Sequence, residues 1–176
     1  MSLEKITAQI KAQGNKIPPV ELWDPDYCGE MDLQIKSNGD WYYAGTIFKR
    51  ATLVKLLASV LKKEADDYFL VTPVEKIKIS VEDAPFVLTE WHWQDEHKTT
   101  MVVSNNIGDT FMLDDQHPLL ITKAGGLYVT VRRNLLAKVH RNVYYQWADL
   151  AKEVSTTKGT ELIFTSAHCD FSLGVI

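Results

Sequence analysis

The sequence predicts an α+β protein with a duplicated core of two hairpin-helix-strand lobes. Three observations carry this. Apolar residues alternate over short stretches separated by turn-forming pairs such as Asn38-Gly39 and Gly125-Gly126. Two longer stretches, one near residues 51–64 and one after Asn142, carry a helical apolar stripe. Finally, hairpin, helix and short strand recur in the same order in both halves of the 176-residue chain.

Taken in order, residues 3–12 place Leu3, Ile6 and Ile10 on one side of a short helix, which Pro18 and Pro19 end. Residues 19–29 read as an extended loop with Trp23 as its anchor in the core. Asp32–Lys36 alternates, and Ser37-Asn38-Gly39-Asp40 supplies turn chemistry before Trp41, Tyr42 and Tyr43, so a hairpin is expected. Leu53, Leu56, Leu57, Val60 and Leu61 follow at helical spacing and predict a helix over residues 51–64. Tyr68–Thr72 is a strand closed by Pro73, and Lys76–Val81 alternates with Ile77, Ile79 and Val81 inward. Asp83-Ala84-Pro85 breaks the pattern. The expected lobes are therefore 1–84 and 85–176.

In the second lobe, strands are expected at about 86–94, 99–104, 110–113, 118–122 and 126–131 as a meander. Arg132 and Arg133 end the last of these. Asn142 caps a helix whose stripe is Val143, Trp147, Leu150, Ala151 and Val154, ended by Lys158-Gly159, and Leu162–Thr165 is the final strand. Ile35, Gly39 and Tyr42 match Ile121, Gly125 and Tyr128 at one constant offset, which points to duplication.

Composition narrows the function classes. A hydrophobic share of 45% with 24% charged residues is that of a folding globular chain. A net charge of −4 argues against a nucleic-acid polymer as partner, because neutralising phosphates needs a basic face. The charge is segregated: Gln116–Ala148 has no Asp or Glu but holds Lys123, Arg132, Arg133, Lys138 and Arg141. Glu82–Asp115 has the opposite bias, with Lys98 as its lone cation. One lobe is thus expected to carry an acidic and a basic face. The first residues contain neither a signal-peptide core nor a membrane-spanning run, so a cytoplasmic protein without a membrane span is expected. Cys28 and Cys169 form neither a CxxC motif nor a zinc knuckle, and no disulfide is expected between them in a reducing compartment.

A set of separated motifs is distinctive: Trp23-Asp24-Pro25, Cys28-Gly29, Asp32, Asn38-Gly39-Asp40-Trp41, Gly45 and Arg50, then Leu70–Lys76 and Val81–Phe86. These resemble an uncharacterised bacterial family, domain of unknown function 1285. The match is strongest from Trp23 to Phe86 and looser around Tyr128–Arg132. The resemblance implies a duplicated core, a C-terminal lobe like a pleckstrin-homology barrel capped by a helix, and a nucleotide-type ligand site between the lobes. It links the family to signal transduction by inference. The chain departs from the family pattern at Gly45–Arg50, which lacks a proline shortly before the arginine. That departure removes the support for Thr46 as a site residue.

Candidate site residues follow from chemistry. In Thr72-Pro73-Val74-Glu75-Lys76, Lys76 is suited to a phosphate and Glu75 to a ribose or base, with Thr72 beside them; equally, Pro73 shapes a turn and Glu75 and Lys76 lie on a solvated edge. The resemblance favours the first reading. Arg50, just before a helix, meets a phosphate beside exposed backbone N–H groups or forms a surface ion pair. Strand alternation sends Arg132 and Arg133 to opposite faces, and Arg132 is the preferred cation. Trp41 or Tyr43 is the candidate for stacking on a base. Trp91 and Trp93 share a face and are expected in the core, with His92 solvated. Phosphate-loop, dinucleotide, nucleophile-elbow and metal-binding motifs are absent, and no cofactor or metal is expected. His168 and Cys169 are adjacent and point apart, which disfavours a thiol nucleophile.

These residues predict a non-enzymatic sensing module: a phosphate-bearing, nucleotide-type small molecule held between the lobes by Arg50, Lys76 and Arg132, with a signalling protein as partner. Two alternatives stand beside it. One is an enzyme using Glu75, Asp32 or Asp83 as general base; the other is a protein-interaction module without a ligand.

Overall fold

Turn chemistry decides where the chain reverses, and the computed structural model, which describes residues 2–14 and 16–176, shows two units, Met1–Asp83 and Ala84–Ile176. In the first unit, α1 (Leu3–Lys11) is capped by Ser2, whose hydroxyl accepts the Lys5 N–H at 3.3 Å. It buries Ile6 and Ile10. A single 3-10 turn, Val20–Leu22, interrupts the expected loop, and its anchor is the fully buried Val20 while Trp23 is only half-buried. The chain already enters β1 (Tyr27–Ile35) at Tyr27.

The Asn38-Gly39 turn forms as expected. Gly39 has φ 93, a conformation that disfavours a side chain, and it closes β1 onto β2 (Trp41–Tyr43) with Ile35 opposite Trp41. Next come β3 (Thr46–Ile47) and α2 (Ala51–Ala58). The helix expected over residues 51–64 ends at Ala58. Ser59 donates its hydroxyl to the Leu56 carbonyl at 2.6 Å, and residues beyond it form β4 (Leu61–Glu64). A left-handed Ala65 (φ 51) lets β4 fold back on β5 (Asp67–Val71), pairing Lys62 with Phe69. Sheet pairing therefore overrides the helical spacing of Val60 and Leu61, both of which are fully buried. The unit closes with β6 (Lys76–Val81), antiparallel to β5 and parallel to β1.

The second unit holds β7 (Phe86–Trp93), β8 (Met101–Asn105), β9 (Thr110–Met112), β10 (Leu119–Ile121), β11 (Leu127–Arg132) and β12 (Leu135–Val139). Strand β12 is not among the expected strands; a turn at Arg133 (φ 52) reverses the chain and pairs it with β11. Then α3 (Arg141–Leu150) packs on β7. Its cap is His140, whose ring nitrogen accepts the Asn142 N–H at 3.2 Å, not Asn142 itself. The helix stops at Leu150, and Val154 belongs to an exposed strand, β13 (Lys152–Thr156). Ser155 opposite Thr160 and Thr156 opposite Gly159 hold that strand in an antiparallel ladder. The strand expected at 162–165 is the middle of β14 (Gly159–Ser166), and it is not the last, since β15 (Cys169–Val175) follows. Trp91 and Trp93 lie half-buried beside α3, edge to face at 5.7 Å, with the Trp91 indole donating to Gln146 at 2.7 Å.

Each unit contains a six-stranded sheet, with orders β3-β2-β1-β6-β5-β4 and β10-β11-β12-β7-β8-β9. Advancing every strand of the first by six gives the second, with the same parallel pair between first and last strands. The core is therefore a duplicated, mostly β, mixed α+β frame. The offset that matches Ile35–Tyr42 to Ile121–Tyr128 aligns the wrong hairpins, β1–β2 with β10–β11, whereas the topological counterpart of β10–β11 is β4–β5. What repeats is the strand order. The helices differ, α2 lying between β3 and β4 and α3 after β12.

Two side chains fasten the frame. Ser166 is fully buried; it accepts the Met101 N–H at 2.9 Å and donates to the Leu113 carbonyl at 2.7 Å. Ser166→Ala strands both groups, so it is expected to cost about 1–3 kcal/mol in urea denaturation; a change within experimental error would show that water replaces the hydroxyl. In the first unit Glu82 accepts the Ser37 N–H at 2.8 Å and the Lys36 ammonium at 3.0 Å. The Ser37 bond, then Lys36, holds the Glu82 carboxyl below its ordinary range. A lowered folded pKa stabilises above the ordinary glutamate range and is lost as pH falls through it. Glu82→Gln is expected to flatten that acid limb in denaturation curves between neutral and acidic pH, leaving the neutral fold unchanged.

Candidate functional site

Strand β5 ends at Val71, and the turn Thr72-Pro73-Val74-Glu75 leads into Lys76. Thr72 is 2% exposed and Glu75 7%. The Thr72 hydroxyl accepts the Glu75 N–H at 3.0 Å and donates to the Gln9 amide oxygen on α1 at 2.8 Å. Glu75 Oε1 accepts the Lys5 ammonium, also on α1, at 3.0 Å, while its buried Oε2 has no hydrogen-bond partner among the described residues. These two candidates hold the first helix against the turn.

Lys76 opens β6 and is half-buried, alternating with the buried Ile77 and Ile79. It pairs with Glu64, which also accepts Lys62 at 3.1 Å, and its ammonium lies 4.6 Å from the Phe69 ring centroid. Lys78 pairs with Asp67 at 3.0 Å. Tyr27 packs edge-on to Phe69 at 6.3 Å, and a shallow cavity of about 320 Å³ runs over Tyr27, Phe69, Lys76 and Lys78. The Lys76 hydrogen bond holds the Glu64 carboxyl below its ordinary range against the opposing effect of desolvation. Asp67 raises the Lys78 ammonium. Both cations are thus compensated by carboxylates of the same sheet.

Arg50 stands at the cap position of α2 with no side-chain cap bond. It is exposed and, among the described residues, bonded to no carboxylate. With Lys11, Glu4, Thr7, Thr52 and Leu53 it lines a cavity of about 690 Å³ between α1 and α2. Arg50 and Lys76 therefore line different cavities of the first unit. Trp41 is 2% exposed, which leaves no ring face for a base, and Tyr43 is half-buried with its ring 6.4 Å from Phe48.

Arg132 belongs to the second unit, at the end of β11. Its guanidinium bonds Asp109 at 2.8 Å and lies 5.1 Å from the Phe86 ring centroid. It occupies the strand-end position that Thr72 follows in the first unit, so the two candidate turns are counterparts in the duplicated frame. The α1–α2 groove with Lys11, Thr7 and Thr52 is the feature sequence reasoning missed. Helical spacing located both helices but gave no sign that they pack together. Cys28 and Cys169 are free thiols, and no three His, Cys, Asp or Glu side chains among the described residues are placed to hold a metal. No helix among the described residues is long and apolar enough to cross a membrane.

Comparison with known proteins places these features in a family. The model of the N-terminal domain of DUF1285, a domain of unknown function, matches residues 18–84, and that of its C-terminal domain matches residues 85–173. Among functionally curated proteins none matches the chain. The crystal structure of a DUF1285 family protein from Silicibacter pomeroyi DSS-3 is similar over 97% of this chain and 95% of that one, at 30% identity and a TM-score of 0.82. A second, from Shewanella baltica OS155, is 33% identical and covers 66% of this chain and 90% of its own, with a TM-score of 0.56. With both family domains matched in sequence order and a solved member sharing the fold over almost all of its length, the chain belongs to the DUF1285 family.

Proposed function

We infer that the protein is a non-enzymatic ligand-binding module whose first unit takes a phosphate-bearing, nucleotide-type small molecule in the groove between α1 and α2. One observation carries this reading: Lys76 and Arg132 are each held by a carboxylate, whereas Arg50 has no carboxylate partner among the described residues and lines a cavity of about 690 Å³. A guanidinium is suited to bidentate contact with phosphate oxygens, and the first N–H groups of α2 add a favourable dipole beside it. Lys11 lines the same groove, and Leu53 and Leu56 give it an apolar wall. Among the described residues Glu4 is the one carboxylate of that lining, against the two cations Lys11 and Arg50, which suits an anionic ligand. In this reading the second unit is the pleckstrin-homology-like lobe that passes the signal to a protein partner.

The test is a thermal-shift screen of nucleotides, cyclic nucleotides and inorganic phosphate with three proteins: the natural chain, Arg50→Ala and Lys76→Ala. A ligand at a hundred times its dissociation constant adds about 2.7 kcal/mol, which raises Tm by roughly 5–10 °C in a chain of this size. The expected outcome is a saturable shift that Arg50→Ala abolishes and Lys76→Ala keeps. Loss in Lys76→Ala alone would move the site to the Tyr27–Phe69 face, and no shift with any compound would end the ligand reading.

A further inference from the structure

The second unit contains two strand edges that face a common groove, and this feature is independent of the α1–α2 reading. Strands β10 and β15 are outer strands of their sheets. Thr122 N–H donates to the Gly126 carbonyl and Thr130 N–H to the Pro118 carbonyl, which puts Leu120 and Tyr128 in the bonded series of the β10–β11 ladder. The N–H and C=O groups of Leu119 and Ile121 are then directed away from β11. On β15 the two-residue turn Ala167-His168, with φ 49 and 63, makes Ser166 and Cys169 the closing bonded pair. By alternation, the backbone groups of Asp170 and Ser172 point to the free edge.

Between these edges lies a groove of about 600 Å³. The edges converge where Gly174 passes Ile121, whose Cδ1 is 3.6 Å from the place a Cβ on Gly174 would take. Leu119, Ile121 and Val175 supply apolar surface, and Ile121 and Val175 are 47% and 55% exposed. The charged lining is unequal: Asp114, Asp115, Glu161 and Asp170 stand against Lys158. These carboxylates are satisfied by neutral donors or by His117: Asp114 by the Gln116 N–H and the His117 ring, Asp115 by the Gln116 amide, Asp170 by the Thr165 hydroxyl, Glu161 by the Thr156 and Ser172 hydroxyls. None forms an ion pair with lysine or arginine among the described residues.

We propose that this groove is a docking site for an extended segment of a partner protein, in which cationic and aliphatic side chains alternate and whose backbone adds as a strand along the outer edge of β15. Main-chain bonds to Asp170 and Ser172 give the register. The aliphatic side chains rest on Leu119, Ile121 and Val175, and the cations meet Asp114, Asp115 and Asp170. Backbone donors and acceptors directed to a strand edge select an extended chain over a helix, and the negative rim selects a basic one.

The experiment uses the full chain and a labelled seven-residue peptide of alternating arginine and valine, followed by fluorescence anisotropy. A glutamate–valine peptide and an arginine–valine peptide N-methylated at every second residue serve as controls. Saturable binding by the basic peptide is expected, with hydrogen exchange slowed at the Asp170 and Ser172 amides. Asp115→Lys is expected to weaken it by about tenfold. Equal binding of the N-methylated peptide would remove the strand-addition geometry, and equal binding of the acidic peptide would remove the charge argument. Failure of the basic peptide to saturate, or saturation without protection of those amides, would overturn the proposal.

Discussion

The parallel pairing of first and last strands holds each six-stranded frame together. A parallel pair cannot be made by a tight turn, so β1 and β6, like β7 and β12, meet only after the intervening strands have run their course. Because the two central strands run the same way, their beginnings lie side by side. Tyr27 is opposite Lys76 in one frame and Phe86 opposite Ala137 in the other. The turns that enter β6 and β12 are fixed at those beginnings. Lys76 over Phe69 and Arg132 over Phe86 are thus related arrangements, a cation on an aromatic ring near the start of a central pair.

Much of this frame is legible in the amino acids. The Asn38-Gly39 turn sets the Ile35–Trp41 register, and alternation at Ile77 and Ile79 marks β6. Other elements are hidden for definable reasons. Val60 and Leu61 satisfy a helical stripe as well as a strand, and only pairing with Leu70 decides between them. Val154 extends the apparent stripe of α3, yet Ala151 is extended (ψ 151) and the chain becomes β13. Phe171, Leu173 and Val175 alternate, so β15 was readable from its own residues, whereas β12 depends on a left-handed Arg133 that no local pattern announces.

Candidate cations are easier to find in a sequence than the groups that neutralise them. Glu64 lies within the stretch whose spacing suggests a helix, and on a helix its carboxylate would have no fixed relation to Lys76. On β4 it faces Lys76 two strands away and accepts its hydrogen bond. Asp109 reaches Arg132 only because β8 and β9 bring their connecting turn to the end of β11. Thr72 and Glu75 are polar residues in a loop, which reads as solvent-facing, but α1 covers them and uses their oxygens for docking through Gln9 and Lys5. Arg50 has the opposite character: among the described residues no carboxylate bonds it.

The duplicated strand order also shapes how the chain reaches its native state. As synthesis proceeds, β1 waits for β6, but β12 has the same place in an equivalent frame and is a rival partner until each half has closed. Closing β1 on β6 spans less chain than closing it on β12, so the native pairing of the first half is favoured by loop entropy and by the order of emergence. The unequal helices reinforce that choice, since α2 interrupts the first frame and α3 follows the second. A chain that paired β12 with β1 would carry α3, which follows β12, away from β7, on which it packs. Divergence between the two halves therefore acts as a kinetic safeguard, keeping copies of one ancestral pattern from trading strands.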